Sequence, residues 1–173
     1  MTILKPFLVI VKSLLFYIFD SFALCNATSP QKNKFELVLL VRQDAIGDFI
    51  MWLDTAKEFR QLFPAKKYKI ILIGNASWCG LADEFPYWDQ VLPIDSKKFK
   101  SFSSYRWGLL RKIKNMSVSI AIQPTFSREF YNGDTIIRAS TALKKVGSVG
   151  DMSNRNWLKK IISDHWYLSL IHI

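Results

Sequence analysis

The sequence predicts an α/β fold: a doubly wound parallel sheet flanked by helices. Short apolar runs rich in β-branched residues alternate with longer amphipathic segments, which is the pattern of strands joined by crossover helices. Glycine, proline and asparagine separate these segments at most of the boundaries. With 173 residues the chain is long enough for one domain with a substantial core.

The individual elements follow from composition and period. Residues 37–41 form a continuous apolar run, typical of a buried strand, and residues 48–63 have the spacing of a helix that Pro64 ends. A second strand over 68–73 closes at Gly74 and Asn75. The remaining predictions are helix 76–84, strand 90–94, helix 105–114, strand 118–122, helix 134–144 and a short strand at 146–147.

The first 26 residues predict an apolar helix that associates with a membrane. Its polar exceptions, Lys5, Lys12, Ser13 and Asp20, lie within about a quarter of the helix circumference, as in a helix that lies in the membrane interface. A spanning helix would carry Lys12 near its middle at a cost of roughly 2.5–3.5 kcal/mol. The pattern also allows a signal peptide cleaved near Cys25, or a helix packed on its own domain. Residues 27–34 predict a linker, and 35–173 the folded domain.

The charge and the residue inventory narrow the function classes. The net charge of +10 fits an anionic membrane surface or a phosphate-bearing ligand, and no nucleic-acid motif accompanies the dispersed basic residues. We therefore expect no nucleic-acid partner. The two cysteines lie far apart in unrelated contexts and the two histidines both lie near the C-terminus, so Cys/His zinc chemistry is close to excluded and no metal site is predicted.

The most informative motif follows the first strand, where a polar loop leads to Gly47 and Asp48 at the start of a helix. Ligands of open α/β sheets bind at the carboxyl ends of strands, so a carboxylate here is a candidate catalytic base, although it could equally serve as a helix cap. Gly47 would let a ligand approach the backbone, or simply make the turn. Arg42 could bind an anionic group or pair with Asp44 or Asp48.

A second polar cluster follows the strand over 118–122. Thr125, Ser127 and Arg128 lie in a loop at the same predicted edge of the sheet and could hydrogen-bond a sugar or a phosphate. Alternatively, their side chains satisfy the backbone of an ordinary loop.

The run Val41-Arg42 followed by Ala45-Ile46-Gly47-Asp48 and a helix resembles the start of glycosyltransferase family 9, the ADP-heptose:lipopolysaccharide heptosyltransferases. The region 87–95 and the run Lys145-Val146-Gly147 are also similar to that family. The resemblance implies the Rossmann-like N-terminal half of a GT-B fold, with Asp48 as the base that deprotonates the acceptor. It further implies that Arg42, Gly47, Thr125, Ser127 and Arg128 line the acceptor side. Where the family often has a small hydroxyl residue, this chain has Asp44.

The resemblance also implies what the chain works with. A nucleotide sugar such as ADP-heptose would be the donor, held without a metal or other cofactor by a C-terminal domain that this sequence lacks, so that this segment alone would be inactive. The acceptor would be a lipid-linked saccharide of lipopolysaccharide or another cell-envelope glycan. The apolar N-terminus and the basic surface would hold the protein on the cytoplasmic face of the inner membrane, against an anionic surface. The alternative function is a membrane-anchored, non-catalytic Rossmann-like binding module in which Asp48 is only a cap.

Overall fold

The fold is a six-stranded, wholly parallel sheet with helices on both faces. The computed structural model describes residues 4–25 and 35–171, so the predicted linker lies outside the described residues. In chain order the elements are α1 (Leu4–Cys25), β1 (Glu36–Arg42), α2 (Ile46–Leu62), β2 (Tyr68–Asn75), α3 (Cys79–Ala82), β3 (Gln90–Ile94), α4 (Ser96–Phe99), α5 (Ser104–Lys114), β4 (Val118–Gln123), a π-helical turn (Phe130–Asp134), α6 (Thr135–Ala139), β5 (Lys144–Ser148), α7 (Trp157–Asp164) and β6 (Ser169–Ile171).

The order of the strands indicates where a ligand site is expected. The strand order is β3-β2-β1-β4-β5-β6. Strands β2 and β3 are added on one side of β1 and strands β4 to β6 on the other, so the topological switch point lies between β1 and β4. Leu40 of β1 pairs in parallel register with Leu72 on one side and Ile122 on the other. In a doubly wound sheet, the crevice outside the carboxyl ends of two such strands is the usual ligand site.

Alternation along β1 divides the core into two layers. Val38 and Leu40 pack toward α2 and α3, whereas Leu39 and Val41 pack toward α4, α5 and α6. All four side chains are fully buried, which explains why the strand reads as one continuous apolar run. The predicted α/β class with flanking helices is confirmed.

Several element boundaries differ from the sequence predictions. The helix predicted over 134–144 is wrong in extent: a π-helical turn precedes it, α6 ends at Ala139, and β5 begins at Lys144. The chain leaves α6 because Thr141 adopts a positive φ of 51°, which a helix cannot continue. The elements α4, α7 and β6 have no counterpart among the predictions.

Helix α1 has the predicted length and apolar character, and two residues of its polar stripe face the folded domain. The segment Phe7–Cys25 is long and apolar enough to cross a membrane, with a mean hydropathy of 2.0, although length and composition alone are weak evidence that it does so. Ser13 and Asp20 are both 2% exposed and face the folded domain. This packing agrees with the alternative of a helix packed on its own domain, and Asp20 has a buried ion-pair partner in Arg106.

Candidate functional site

A polar cleft opens at the carboxyl ends of β1 and β4. It consists of two adjoining hollows of about 230 Å³ and 280 Å³. Asp44, Asp48, Thr125 and Ser127 line both hollows, so the two polar segments predicted to meet at this edge do meet there.

Asp48 presents its carboxylate to the cleft rather than to its own helix. The residue that caps α2 is Ala45, which provides no side-chain hydrogen bond, so the cap interpretation of Asp48 is wrong. Asp48 lies in the first turn of α2, is exposed, and accepts no side-chain hydrogen bond within the described ranges. This position leaves the carboxylate open to a ligand that enters the cleft.

Arg42 forms hydrogen bonds to both segments that border the cleft. Its Nη1 donates to the Pro124 carbonyl at 2.9 Å, and its Nη2 donates to the Asp48 carbonyl at 3.1 Å. Nη2 also lies 3.2 Å from Oδ2 of Asp44, and the guanidinium carbon lies 5.0 Å from the ring centroid of Trp52. The ion-pair alternative for Arg42 is thus the one observed, and acceptor binding by this side chain stays a prediction.

The environment of the Asp44 carboxyl shifts its pKa. Burial raises its pKa above the usual range, the Arg42 guanidinium opposes that shift, and the neighbouring Asp48 charge adds to it. The Thr125 hydroxyl donates to Asp44 Oδ2 at 3.4 Å. A carboxyl whose charge is disfavoured by burial and by a neighbouring acid is a common feature of sites of proton transfer.

The raised pKa predicts the behaviour of the Asp44→Asn variant. A carboxyl whose folded-state pKa is raised destabilises the fold when ionised, and this penalty disappears as the pH falls through the folded pKa toward the ordinary value of 3.8. We expect Asp44→Asn to raise the thermal midpoint by about 1–3 °C at pH 7, with the gain shrinking as the pH approaches 4. Thermal unfolding at several pH values measures this, with Asp54→Asn, whose side chain is 99% exposed, as the control. A variant less stable than wild type at pH 7 would show that the Arg42 attraction outweighs burial.

Thr125 and Ser127 line both hollows of the cleft, whereas Gly47 lies beside Asp48 in the first turn of α2. A Cβ added at Gly47 would meet no atom within 4 Å, so packing does not require glycine there. Thr125 is largely buried, whereas Ser127 is half-buried and donates to Oδ2 of Asp151 at 3.1 Å. Their roles toward a ligand stay predictions.

Arg128 does not line the cleft, and its predicted acceptor contact is corrected. The side chain is fully buried, with Nε 3.2 Å from Oδ1 of Asp134 and Nη1 donating to the Ser148 carbonyl at 2.8 Å. Nη2 pairs with Asp164 of α7, and the guanidinium lies 4.3 Å from the ring centroid of Tyr167. Two acidic partners draw the side chain into the domain, where it joins α7 to the π-helical turn.

The structure adds further cleft residues that the sequence does not single out, among them Gln43, Glu129 and Asn154. The Ser96 hydroxyl donates a hydrogen bond to Oε1 of Gln43. The Nε2 atom of Gln43 has no hydrogen-bond partner in the part of the chain that is described. Glu129 forms an ion pair with Lys100 at 2.7 Å. Adjacency to the motif residues could have indicated Gln43 and Glu129, whereas Asn154 comes from a segment with no sequence signal.

Other chemistries find no support at this edge. Burial raises the pKa of the Cys79 thiol to about 12, so this cysteine is not a nucleophile near neutral pH. Among the described residues, no group of three or more histidine, cysteine, aspartate or glutamate side chains could hold a metal ion.

No protein-family model and no curated protein matches the sequence. Solved structures do match. The E. coli heptosyltransferase WaaC with ADP-2-deoxy-2-fluoro heptose has a TM-score of 0.61 at 15% identity, over 79% of this chain and 42% of that one. WaaC with ADP gives 0.57 at 15% identity, over 79% and 41%. The glycosyltransferase family 9 structure from Veillonella parvula gives 0.59 at 14% identity, over 83% and 38%.

This chain shares the fold of these glycosyltransferases. All three are consistent with the resemblance seen in the sequence, and at such low identity the likeness shows the fold. The chain spans less than half the length of each structure that it matches here.

Proposed function

We propose that the chain is the acceptor-binding domain of an inverting glycosyltransferase of the family 9 type, with Asp48 as the general base. The observation that carries this proposal is the Asp48 carboxylate, exposed in the cleft at the carboxyl end of β1 and not used to cap α2. The shared fold with heptosyltransferases supports the same reaction class.

The proposed reaction needs one base at this position. Asp48 removes the proton from an acceptor hydroxyl while the hydroxyl oxygen attacks the anomeric carbon of the donor. The bond from that carbon to the diphosphate breaks, the nucleoside diphosphate leaves with the electron pair, and the configuration inverts. Arg42 fixes the Asp48 backbone through its carbonyl and so holds the base at the edge of the cleft.

The charge of the cleft indicates which part of an acceptor enters it. Three carboxylates line the cleft, at Asp44, Asp48 and Glu129, together with amides and hydroxyls. Among the described residues that line it, Arg42 is the one cation, and its guanidinium already serves Asp44 and two carbonyls. A neutral, hydroxyl-bearing sugar fits this lining, since a phosphate or carboxylate would find Arg42 and Lys100 already paired and would face the Asp48 carboxylate.

The similar glycosyltransferase structures support a proposal for the donor, and the net charge of the chain supports one for its location. We propose a nucleotide sugar such as ADP-heptose as the donor, the acceptor being a lipid-linked saccharide of lipopolysaccharide or another cell-envelope glycan. Such acceptors lie at a membrane, so we place the protein on the cytoplasmic face of the inner membrane, in agreement with its charge of +10.

A transfer assay on the complete reading frame that contains this chain tests the proposal. ADP-heptose and other nucleotide sugars are offered with membrane-extracted acceptors, and free nucleoside diphosphate and glycosylated product are both measured. We expect product with at least one donor, and competition by neutral sugars stronger than by their phosphorylated forms. A folded protein that binds acceptor but uses no donor would support the binding-module alternative instead.

A further inference from the structure

Helix α1 docks on the domain through its polar side. Both carboxylate oxygens of Asp20 accept hydrogen bonds from Arg106 of α5, at 2.6 Å from Nε and 2.6 Å from Nη2. The Ser13 hydroxyl lies 2.9 Å from the Tyr131 hydroxyl in the π-helical turn. Phe16, which is 1% exposed, stacks on Phe102 with ring centroids 3.9 Å apart. The helix is therefore part of the domain rather than a detached tail.

The opposite side of α1 is an apolar strip open to the surroundings, which we call the outer face. At 100° per residue its members fall within about a third of the circumference, opposite Phe16 and Asp20. They are Phe7, Leu8, Leu14, Leu15, Ile18 and Phe22, each between 50% and 60% exposed. A continuous apolar strip of this kind normally has a partner.

The charges beside the outer face indicate which partner. Lys12 and Lys159 lie over the ring of Tyr131, with their Nζ atoms 5.5 Å and 4.3 Å from its centroid. Arg138 lies 3.9 Å from the ring centroid of Tyr17. The one acidic residue of α1, Asp20, is neutralised inside the domain. An apolar strip bordered by cations, on a helix whose one carboxylate is buried, matches an anionic bilayer, whereas a second copy of the chain would bring the same cations together.

We propose that α1 lies in the plane of an anionic membrane, with its outer face in the acyl boundary and its polar side locked to the domain by Asp20 and Arg106. A spanning orientation would pull α1 away from α5 and leave Arg106, which is fully buried, without its counter-charge. The docked geometry thus discriminates between the interfacial and the spanning orientations.

The same contacts tie the membrane plane to the cleft. Arg106 donates to the Tyr131 carbonyl at 2.9 Å, and the flanking residues Glu129 and Gly133 line the cleft. A helix held in the bilayer would therefore fix the orientation of the cleft toward the membrane surface. This last step rests on the proposed function, whereas membrane binding by α1 does not.

Site-directed spin labelling on vesicles tests the orientation. In a Cys25→Ser background, single cysteines at the exposed positions 8, 12, 14, 15, 17, 18 and 22 carry a nitroxide, and its immersion depth is measured on phosphatidylcholine vesicles that contain phosphatidylglycerol. We expect depth to follow the helical period, with labels at Leu15, Ile18 and Phe22 deep and labels at Lys12 and Tyr17 shallow. A single depth maximum at the middle of the helix, independent of face, would overturn the proposal in favour of a spanning helix.

A second measurement keeps membrane binding separate from folding. The double variant Leu15→Asp/Ile18→Asp alters two side chains that are each about half exposed and is expected to weaken vesicle binding by about tenfold or more. Leu62→Asp on α2, where the side chain is 68% exposed on the opposite layer, is the matched control and should bind as wild type does. Unchanged binding by the double variant, or a lipid-free dimer that buries the outer face, would overturn the proposal. Because no donor or acceptor is involved, these outcomes do not depend on glycosyl transfer.

Discussion

Replacement of Asp48 with asparagine is expected to lower glycosyl transfer by about 10²–10⁴-fold in the complete protein. Asparagine keeps the size and the hydrogen-bonding oxygen of the side chain but cannot accept the proton of the acceptor hydroxyl. Because the Asp48 carboxylate is exposed and does not cap α2, the fold should be almost unaffected. The measurement is kcat with saturating donor and acceptor, together with acceptor affinity, which should change little.

The same helix supplies a matched control. Asp54 also lies on α2, and its side chain is 99% exposed and away from the cleft. We expect Asp54→Asn to transfer at the wild-type rate. If Asp48→Asn retained a rate within about tenfold of wild type, Asp48 would not be the base, and Asp44 or Glu129 would be the next carboxylates to replace.

The second large effect concerns stability. Removal of the Asp20 carboxylate in Asp20→Ala should lower the free energy of unfolding by about 3–5 kcal/mol, because it leaves the buried Arg106 guanidinium without its counter-charge. That guanidinium lies between the rings of Phe16 and Phe99, with centroids 4.9 Å and 4.5 Å away, so water cannot readily replace the carboxylate. Urea denaturation followed by tryptophan fluorescence gives the value.

A double variant separates the charge from the packing. Asp20→Leu combined with Arg106→Met removes both charges and fills similar volume, and buried pairs replaced in this way often recover most of the lost stability. We expect the double variant to be far more stable than Asp20→Ala. A loss below about 1 kcal/mol in Asp20→Ala would mean that the pair is screened by solvent and that α1 is only loosely docked.

The fold could be predicted because its signals are local. Four buried residues in succession, from Val38 to Val41, require a strand covered on both faces, and the intervening amphipathic segments require crossover helices. The meeting of Asp48 with Thr125 was also predictable, because parallel strands deliver the residues that follow them to one edge.

The side-chain positions that the sequence does not predict have a common physical cause: a distant partner decides where a charged side chain points. Arg128 turns inward because Asp134 and Asp164 lie there, and Asp164 belongs to a helix with no sequence prediction. Asp20 turns toward the domain because Arg106, 86 residues later, lies across from it. The helical period reveals that the polar residues of α1 share one side, but not what that side meets.

The arrangement around Arg42 has a consequence for motion. One guanidinium holds the loop after β1, the first turn of α2 and the loop after β4, through Asp44, the Asp48 carbonyl and the Pro124 carbonyl. These three segments cannot shift independently without breaking a charge-assisted bond. A ligand that enters the cleft would therefore meet a rigid surface that loses little conformational entropy on binding. Any closing motion around the cleft would carry these three segments as one body, with its hinge outside the cleft.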